Sequence, residues 1–374
     1  MKKIFNLHVF SLILVVAIVS MFSIIKVNAA ITWKSDDGCI GSSFTITRTL
    51  NNVPTSSVTN NFGYTLTPNA GNPGTPSGTV PSSATVSFTG SETVTNHTVS
   101  KTTSVNFNTI TSFPDVGYYT YSLAEASSTD STTYPIATTS TDTDSTHKLP
   151  YTVRVWVSHA VDGEGVPTSD YVACMHVLNS DNEKVAPAYT TNVNSSQYSS
   201  FTITKKTTGN MAEISDYFPI TISLNTTGTY NITGLTAGSS LCTGVASQTA
   251  STTITGNTAP ITKTVCIKHG DTVVVGKDGS LDTIPTGTAL TLTETPGTYT
   301  PSYKVNSGSS VSSATLSNHS LASGETTIAY TNDKTEPTPT GVIITVLPYI
   351  LLVVIVVIGT VVYMNLKKKE DKNK

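Results

Sequence analysis

The chain has 374 residues, with 21 Lys and Arg against 24 Asp and Glu for a formal net charge of −3. That balance gives no electrostatic footing for a nucleic-acid partner. The seven His are scattered with no pair at ligand spacing, so neither a metal site nor a cofactor is expected. Only 12% of residues are charged while Thr and Ser abound, a mixture suited to strands with one polar face.

In chain order, Lys2 and Lys3 precede an apolar stretch from about Leu7 to Ile25, followed by the small-residue pattern Val27-Asn28-Ala29. This reads as a secretory signal peptide over residues 1–29, cleaved after Ala29, in preference to a retained helix. Period-two alternation follows in "SSFTITRTL", "FGYTLTP", "ATVSFTG", "YYTYSLAE" and "YTVRVWVS". In the last of these Tyr151, Val153, Val155 and Val157 face one way and Thr152, Arg154 and Trp156 the other. "DGEG" at Asp162 to Gly165 reads as a hairpin turn. Further strands are "FTITKK", "FPITISL", "TVVVGK", "ALTLTE" and "TTIAYTN". Short strands separated by Gly, Pro, Asn and Asp argue for an all-β chain of antiparallel sandwiches.

The order of elements repeats. "FTITRTL", "YTYSLAE" and "AYTTN" in one half answer "FTITKKTTGN", "ALTLTETPGTY" and "IAYTN" in the other, which predicts two tandem β-sandwich domains over residues 30–198 and 199–336. The four cysteines allow three pairings. Two fall in each half, favouring Cys39 with Cys174 and Cys242 with Cys266 in an exported chain. The last segment, 337–374, carries Pro339-Thr340-Gly341, an apolar run from Val342 to about Leu366 and then Lys367-Lys368-Lys369. The run is long enough to span a bilayer, and the lysines place its end in the cytoplasm. Pro337 and Pro339 keep the preceding segment extended.

The stretches "FPDVGYYTYSLAE", "EKVAPAYTTN", "FTITKKTTGN", "LTLTETPGTY" and "YTNDKTEPTPTGVIITVLPY" give the chain a resemblance, over nearly its whole length, to the major shaft pilins of Gram-positive sortase-assembled pili, of the streptococcal T-antigen type. The resemblance implies immunoglobulin-like sandwiches, each closed by an amide between a Lys on its first strand and an Asn on its last, with a Glu promoting the reaction. Those positions are Lys205, Asn332 and Glu294 in the second domain. In the first, Arg48 stands where the lysine is expected, beside Glu125 and either Asn192 or Asn194. Arginine is effectively always protonated and cannot attack, so a buried bidentate Arg48–Glu125 ion pair with a Cys39–Cys174 cross-link is expected instead.

The resemblance further implies that a sortase cuts between Thr340 and Gly341 and joins Thr340 to Lys184 of the next subunit, Lys148 being a second candidate acceptor. The partners would be a sortase, further copies of the chain, minor pilins and, during assembly, the membrane. The expected location is the cell surface, in a wall-anchored pilus. The function that follows is structural and not enzymatic, since no nucleophile-base constellation apart from the self-modifying set stands out. A wall-anchored adhesin or minor pilin is the alternative.

Overall fold

A computed structural model describes residues 29–54, 57–137, 148–336 and 340–370. Nearly all of the leader predicted over residues 1–29, together with Pro337, Thr338 and Pro339, lies outside the described residues. The fold is all-β with one C-terminal helix among the described residues, and the chain divides into two compact units between Gln197 and Tyr198.

In the first unit, a six-stranded sheet runs in the order Ile31–Trp33, Pro167–Leu178, Tyr151–Val161, Gly117–Ser128, Thr59–Pro68 and Ser83–Thr89. A three-stranded sheet runs Ala188–Asn192, Ser43–Asn51 and Val99–Asn106. Alternation decides what each face buries. Tyr151, Val153, Val155 and Val157 join Ile46, Leu50, Phe62 and Tyr121 in the core, while Trp156 stays exposed. The Asp162–Gly165 segment turns the chain between two of these strands, with Asp162 Oδ1 accepting hydrogen bonds from the amides of Glu164 and Val166 at 2.9 Å each. Cys39 is joined to Cys174.

The second unit sets a four-stranded sheet, Ile261–Lys268, Tyr217–Leu224, Ala289–Glu294 and Thr315–Ser320, with a larger one. The larger sheet runs Ser251–Gly256, Gly228–Thr233, Thr272–Val275, Tyr198–Thr208, Gly324–Asp333 and Thr300–Val305, with Ile284–Pro285 also on Tyr198–Thr208. Phe201, Ile203, Ile220, Ile222, Leu292 and Ile328 make its core. Cys242 is joined to Cys266.

Both units share one connection that matters for the site. The opening strand, preceded in the first unit by the short edge strand Ile31–Trp33, lies parallel to, and directly beside, the closing strand: Ser43–Asn51 with Ala188–Asn192, and Tyr198–Thr208 with Gly324–Asp333. A parallel neighbour cannot be reached by a tight turn, so the strands that lie between them in the chain form the crossover. Beyond the second unit, the helix Thr340–Glu370 contains Pro348–Lys369, a stretch of mean hydropathy 2.5 that is long and apolar enough to cross a membrane. Thr340 and Gly341 form its first turn.

Candidate functional site

Lys205 lies on the opening strand of the second unit and Asn332 on the closing one. Parallel register sets Lys205 against Tyr330 and Thr207 against Asn332. Successive side chains alternate faces, so Lys205 and Asn332 both point inward, two positions apart along the strands, a diagonal that a long lysine stem can span. Glu294, the last residue of Ala289–Glu294 in the facing sheet, reaches them from across the core. Its Oε1 accepts hydrogen bonds from Lys205 Nζ and, at 3.1 Å, from Asn332 Nδ2. One carboxylate oxygen thus holds both the amine and the amide.

Water is excluded from this meeting point. The Lys205 and Glu294 side chains are wholly buried, and Asn332 is 0% exposed. The Lys205 amine lies 4.3 Å from the centre of the Phe218 ring and 5.8 Å from that of Tyr330. Burial disfavours its charged form and, against the pull of Glu294, lowers its pKa to about 8. The same burial pushes the Glu294 carboxyl above its usual range, with Lys205 and Asn332 opposing. Among the described residues, Glu294 Oε2 and Asn332 Oδ1 find no hydrogen-bond partner. Such orphaned atoms are costly in an interior, and a protonated Glu294 could donate to the carboxamide and remove part of the cost.

The first unit assembles a different set at the corresponding place. Arg48 pairs in register with Tyr189, as Lys205 does with Tyr330, and is 0% exposed. Its Nε lies 2.8 Å from Glu125 Oε1. The expected bidentate geometry is not what the structure has, because the two terminal nitrogens are used elsewhere. Nη1 donates to the carbonyls of Thr49 (2.7 Å) and Tyr189 (3.0 Å), and Nη2 to the Pro135 carbonyl (2.9 Å) and Thr191 Oγ1 (2.7 Å). Glu125 also accepts from Tyr64 OH at 3.0 Å and from the Ala137 amide. Desolvation raises its pKa, and Arg48, that amide and the phenol pull back. Phe62 lies against the guanidinium, its ring centre 4.2 Å away.

Asn192 does not join this cluster. It is exposed at the strand end, and Asn194 Nδ2 donates to the Thr132 carbonyl at 2.9 Å, away from Arg48. Counting from the shared Ala-Tyr, Thr191 stands where Asn332 stands in the second unit. "AYTTN" carries one Thr more than "AYTN", and an extra residue in a strand reverses the face of everything after it. Phe218 and Tyr330 are the parts of the second site that the sequence reading did not single out. Their inward parity in "FPITISL" and "AYTN" was the available signal.

Lys184 is exposed, forms a bridge with Leu178 and lines a groove of about 430 Å³ with Ile40, Phe44, His176, Val185 and Pro187. Among the described residues no carboxylate lies within ion-pair reach of its amine. Lys148, by contrast, is paired with Asp181. Cys39, Cys174 and His176 lie close together, but both sulfurs are committed to the disulfide.

Residues 199–334, which include Lys205, Glu294 and Asn332, match a domain family described as a domain of unknown function, DUF7601. No curated protein matches the chain. Among solved structures, the major pilin from Streptococcus pyogenes is 19% identical with a TM-score of 0.52, over 79% of this chain and 99% of that one. A point variant of that pilin gives 19% and 0.53, over 79% and 100%. At this identity the likeness establishes architecture: the chain has the fold of the Streptococcus pyogenes major pilin.

Proposed function

We propose that the chain is the repeating shaft subunit of a covalent cell-surface pilus, its second sandwich closed by an amide between Lys205 and Asn332. The observation that carries this reading is the buried meeting of Lys205, Glu294 and Asn332 across parallel opening and closing strands, in a chain with a pilin fold. The chemistry follows from the burial. Lys205 passes a proton to Glu294, and the neutral amine attacks Asn332 Cγ. The new C–N bond forms as the bond from Cγ to Nδ2 breaks. Glu294 gives its proton to Nδ2, the atom already resting on its Oε1, takes one from the lysine nitrogen, and ammonia leaves. No external reactant is consumed.

For assembly, a sortase would cleave between Thr340 and Gly341 and pass the Thr340 acyl group to Lys184 of another copy. Thr340 and Gly341 open the helix, where backbone amides lack intrahelical partners, so this turn is the cheapest part of the helix to unwind into an enzyme groove. The apolar helix and Lys367 to Lys369 would hold the precursor in the membrane until then. An exposed amine free of carboxylates supports Lys184 over Lys148 as acceptor. With the cognate sortase present, Lys184→Ala is expected to abolish SDS-resistant ladders while Lys148→Ala leaves them. Ladders that survive Lys184→Ala would move the linkage elsewhere.

A further inference from the structure

The edge strand Ile31–Trp33 joins the first sheet parallel to Pro167–Leu178, with Ile31 beside Tyr171 and Trp33 beside Ala173. Just before it, the Ala30 carbonyl accepts from the Tyr171 amide at 2.8 Å, and the Ala30 nitrogen donates to Asp170 Oδ1 at 2.8 Å. Asp170 owes its aim to an irregularity. The antiparallel register of Pro167–Leu178 against Tyr151–Val161 slips between Pro167 and Tyr171, and such a slip redirects a side chain. The Asp170 amide is itself held by Thr168 Oγ1 at 3.3 Å, and Thr168 Oγ1 donates to the Ala160 carbonyl at 3.2 Å. Next to it, Tyr171 is stacked on His159, ring centres 5.2 Å apart. Among the described residues, the Asp170 carboxylate positioned in this way receives only one neutral N–H, that of Ala30, from an unbroken chain.

Ala29 is also the residue after which the sequence pattern places signal-peptide cleavage. Hydrolysis there, with water entering across the Ala29–Ala30 bond, converts the same nitrogen into an α-ammonium with three donors and a full positive charge. We propose that Asp170 is the binding site for the chain's own processed N-terminus, an ion pair that keeps the Ala30 amine protonated and withdrawn from acyl transfer so that Lys184 is the acceptor. The protective half of this inference rests on the proposed transpeptidation. Its chemical basis is general. An α-amine has an ordinary pKa of about 7.7–8.0 against about 10.4 for lysine, so near neutrality a far larger share of it is unprotonated and nucleophilic. A subunit with a free α-amine would offer a sortase a better nucleophile than Lys184. A neighbouring carboxylate favours the charged form, and the strand pairing at Tyr171 fixes the residue on the sheet.

The test uses the mature full chain, processed in an exporting host. Peptide mapping is expected to find Ala30 as the first residue. NMR titration of the Ala30 α-amine is expected to give a pKa above the ordinary range that returns to it in Asp170→Asn and is kept in Asp170→Glu. An acetylating reagent at neutral pH should label Ala30 roughly three- to tenfold faster in Asp170→Asn than in the parent, with Lys184 labelling unchanged. With the cognate sortase, Asp170→Asn polymers should then contain Thr340–Ala30 links beside Thr340–Lys184 links. A different first residue, or an α-amine pKa untouched by Asp170→Asn, overturns the site. A shifted pKa with no Thr340–Ala30 links in polymerising Asp170→Asn overturns the protective role. If the parent forms no Thr340–Lys184 link at all, it is the assembly reading that fails, and the titration still decides the site.

Discussion

Lys205 and Arg48 occupy corresponding inward positions, each in register with a buried tyrosine and each facing a buried glutamate from the opposite sheet. Burial lowers the pKa of both, and only for lysine does this bring the neutral form within reach. The consequence can be read in a variant that cannot close the amide. In Asn332→Ala, Lys205 stays an amine with its pKa near 8 in the folded state against about 10.4 unfolded. Between those values the unfolded chain binds more protons, so stability must rise with pH. Denaturant unfolding of Asn332→Ala is expected to gain on the order of 2 kcal/mol from pH 8 to about pH 9.5. With its nitrogen in the proposed amide the parent should lack that gain; an equal gain in the parent would mean that its lysine is still a free amine, and no gain in Asn332→Ala would show that Lys205 does not titrate as its burial requires.

The parallel pairing of opening and closing strands makes the site possible, since it brings residues far apart in sequence onto one inward face. Alternation made the strands legible: "YTVRVWVS" and "FTITKK" bury the residues that their parity assigns. The disulfide partners were legible too, because each half holds two cysteines. What the sequence could not supply was the depth of the alternation at a strand end. Residue type matches Asn192 to Asn332, whereas register from the shared Ala-Tyr puts Thr191 inward and Asn192 in solvent. The guanidinium hydrogen bonds to Pro135, Tyr189 and Thr49 were also beyond pattern reading, because backbone carbonyls leave no mark in a sequence. This network gives the first sandwich a clear vulnerability. Arg48→Ala strands Glu125 as a buried charge and frees several acceptors, so urea unfolding of that sandwich is expected to lose about 3–5 kcal/mol. A loss under about 1 kcal/mol would mean that Glu125 is neutral without its partner.

For the whole molecule, the proposed links define a covalent path that can be followed by connectivity alone. Tension entering at Lys184 runs along the chain through Ala188–Asn192 to Lys205, crosses to Asn332 and leaves at Thr340. The crossover of the second sandwich is bypassed, and so is Arg48, which lies N-terminal to the entry point. By analogy with a disulfide closing a loop of this length, the proposed amide would stabilise the second sandwich by about 4–5 kcal/mol through the unfolded state. Mechanical resistance is the larger effect. Pulled between residues 184 and 340, Lys205→Ala should show an unfolding step of roughly 30–35 nm from the released crossover, the Cys242–Cys266 disulfide withholding the loop it closes. Such a step in the parent would mean that the path is not closed.

The closed path depends on a bond between Lys205 and Asn332, and mass measurement addresses it without intermediaries. With both disulfides reduced, the purified mature chain is expected to weigh about 17 Da less than its sequence, one ammonia, with the deficit confined to a branched peptide joining Lys205 to Asn332. The deficit should vanish in Lys205→Ala and in Glu294→Ala. Full mass in the parent, with Lys205 and Asn332 recovered on separate unmodified peptides, would contradict the account.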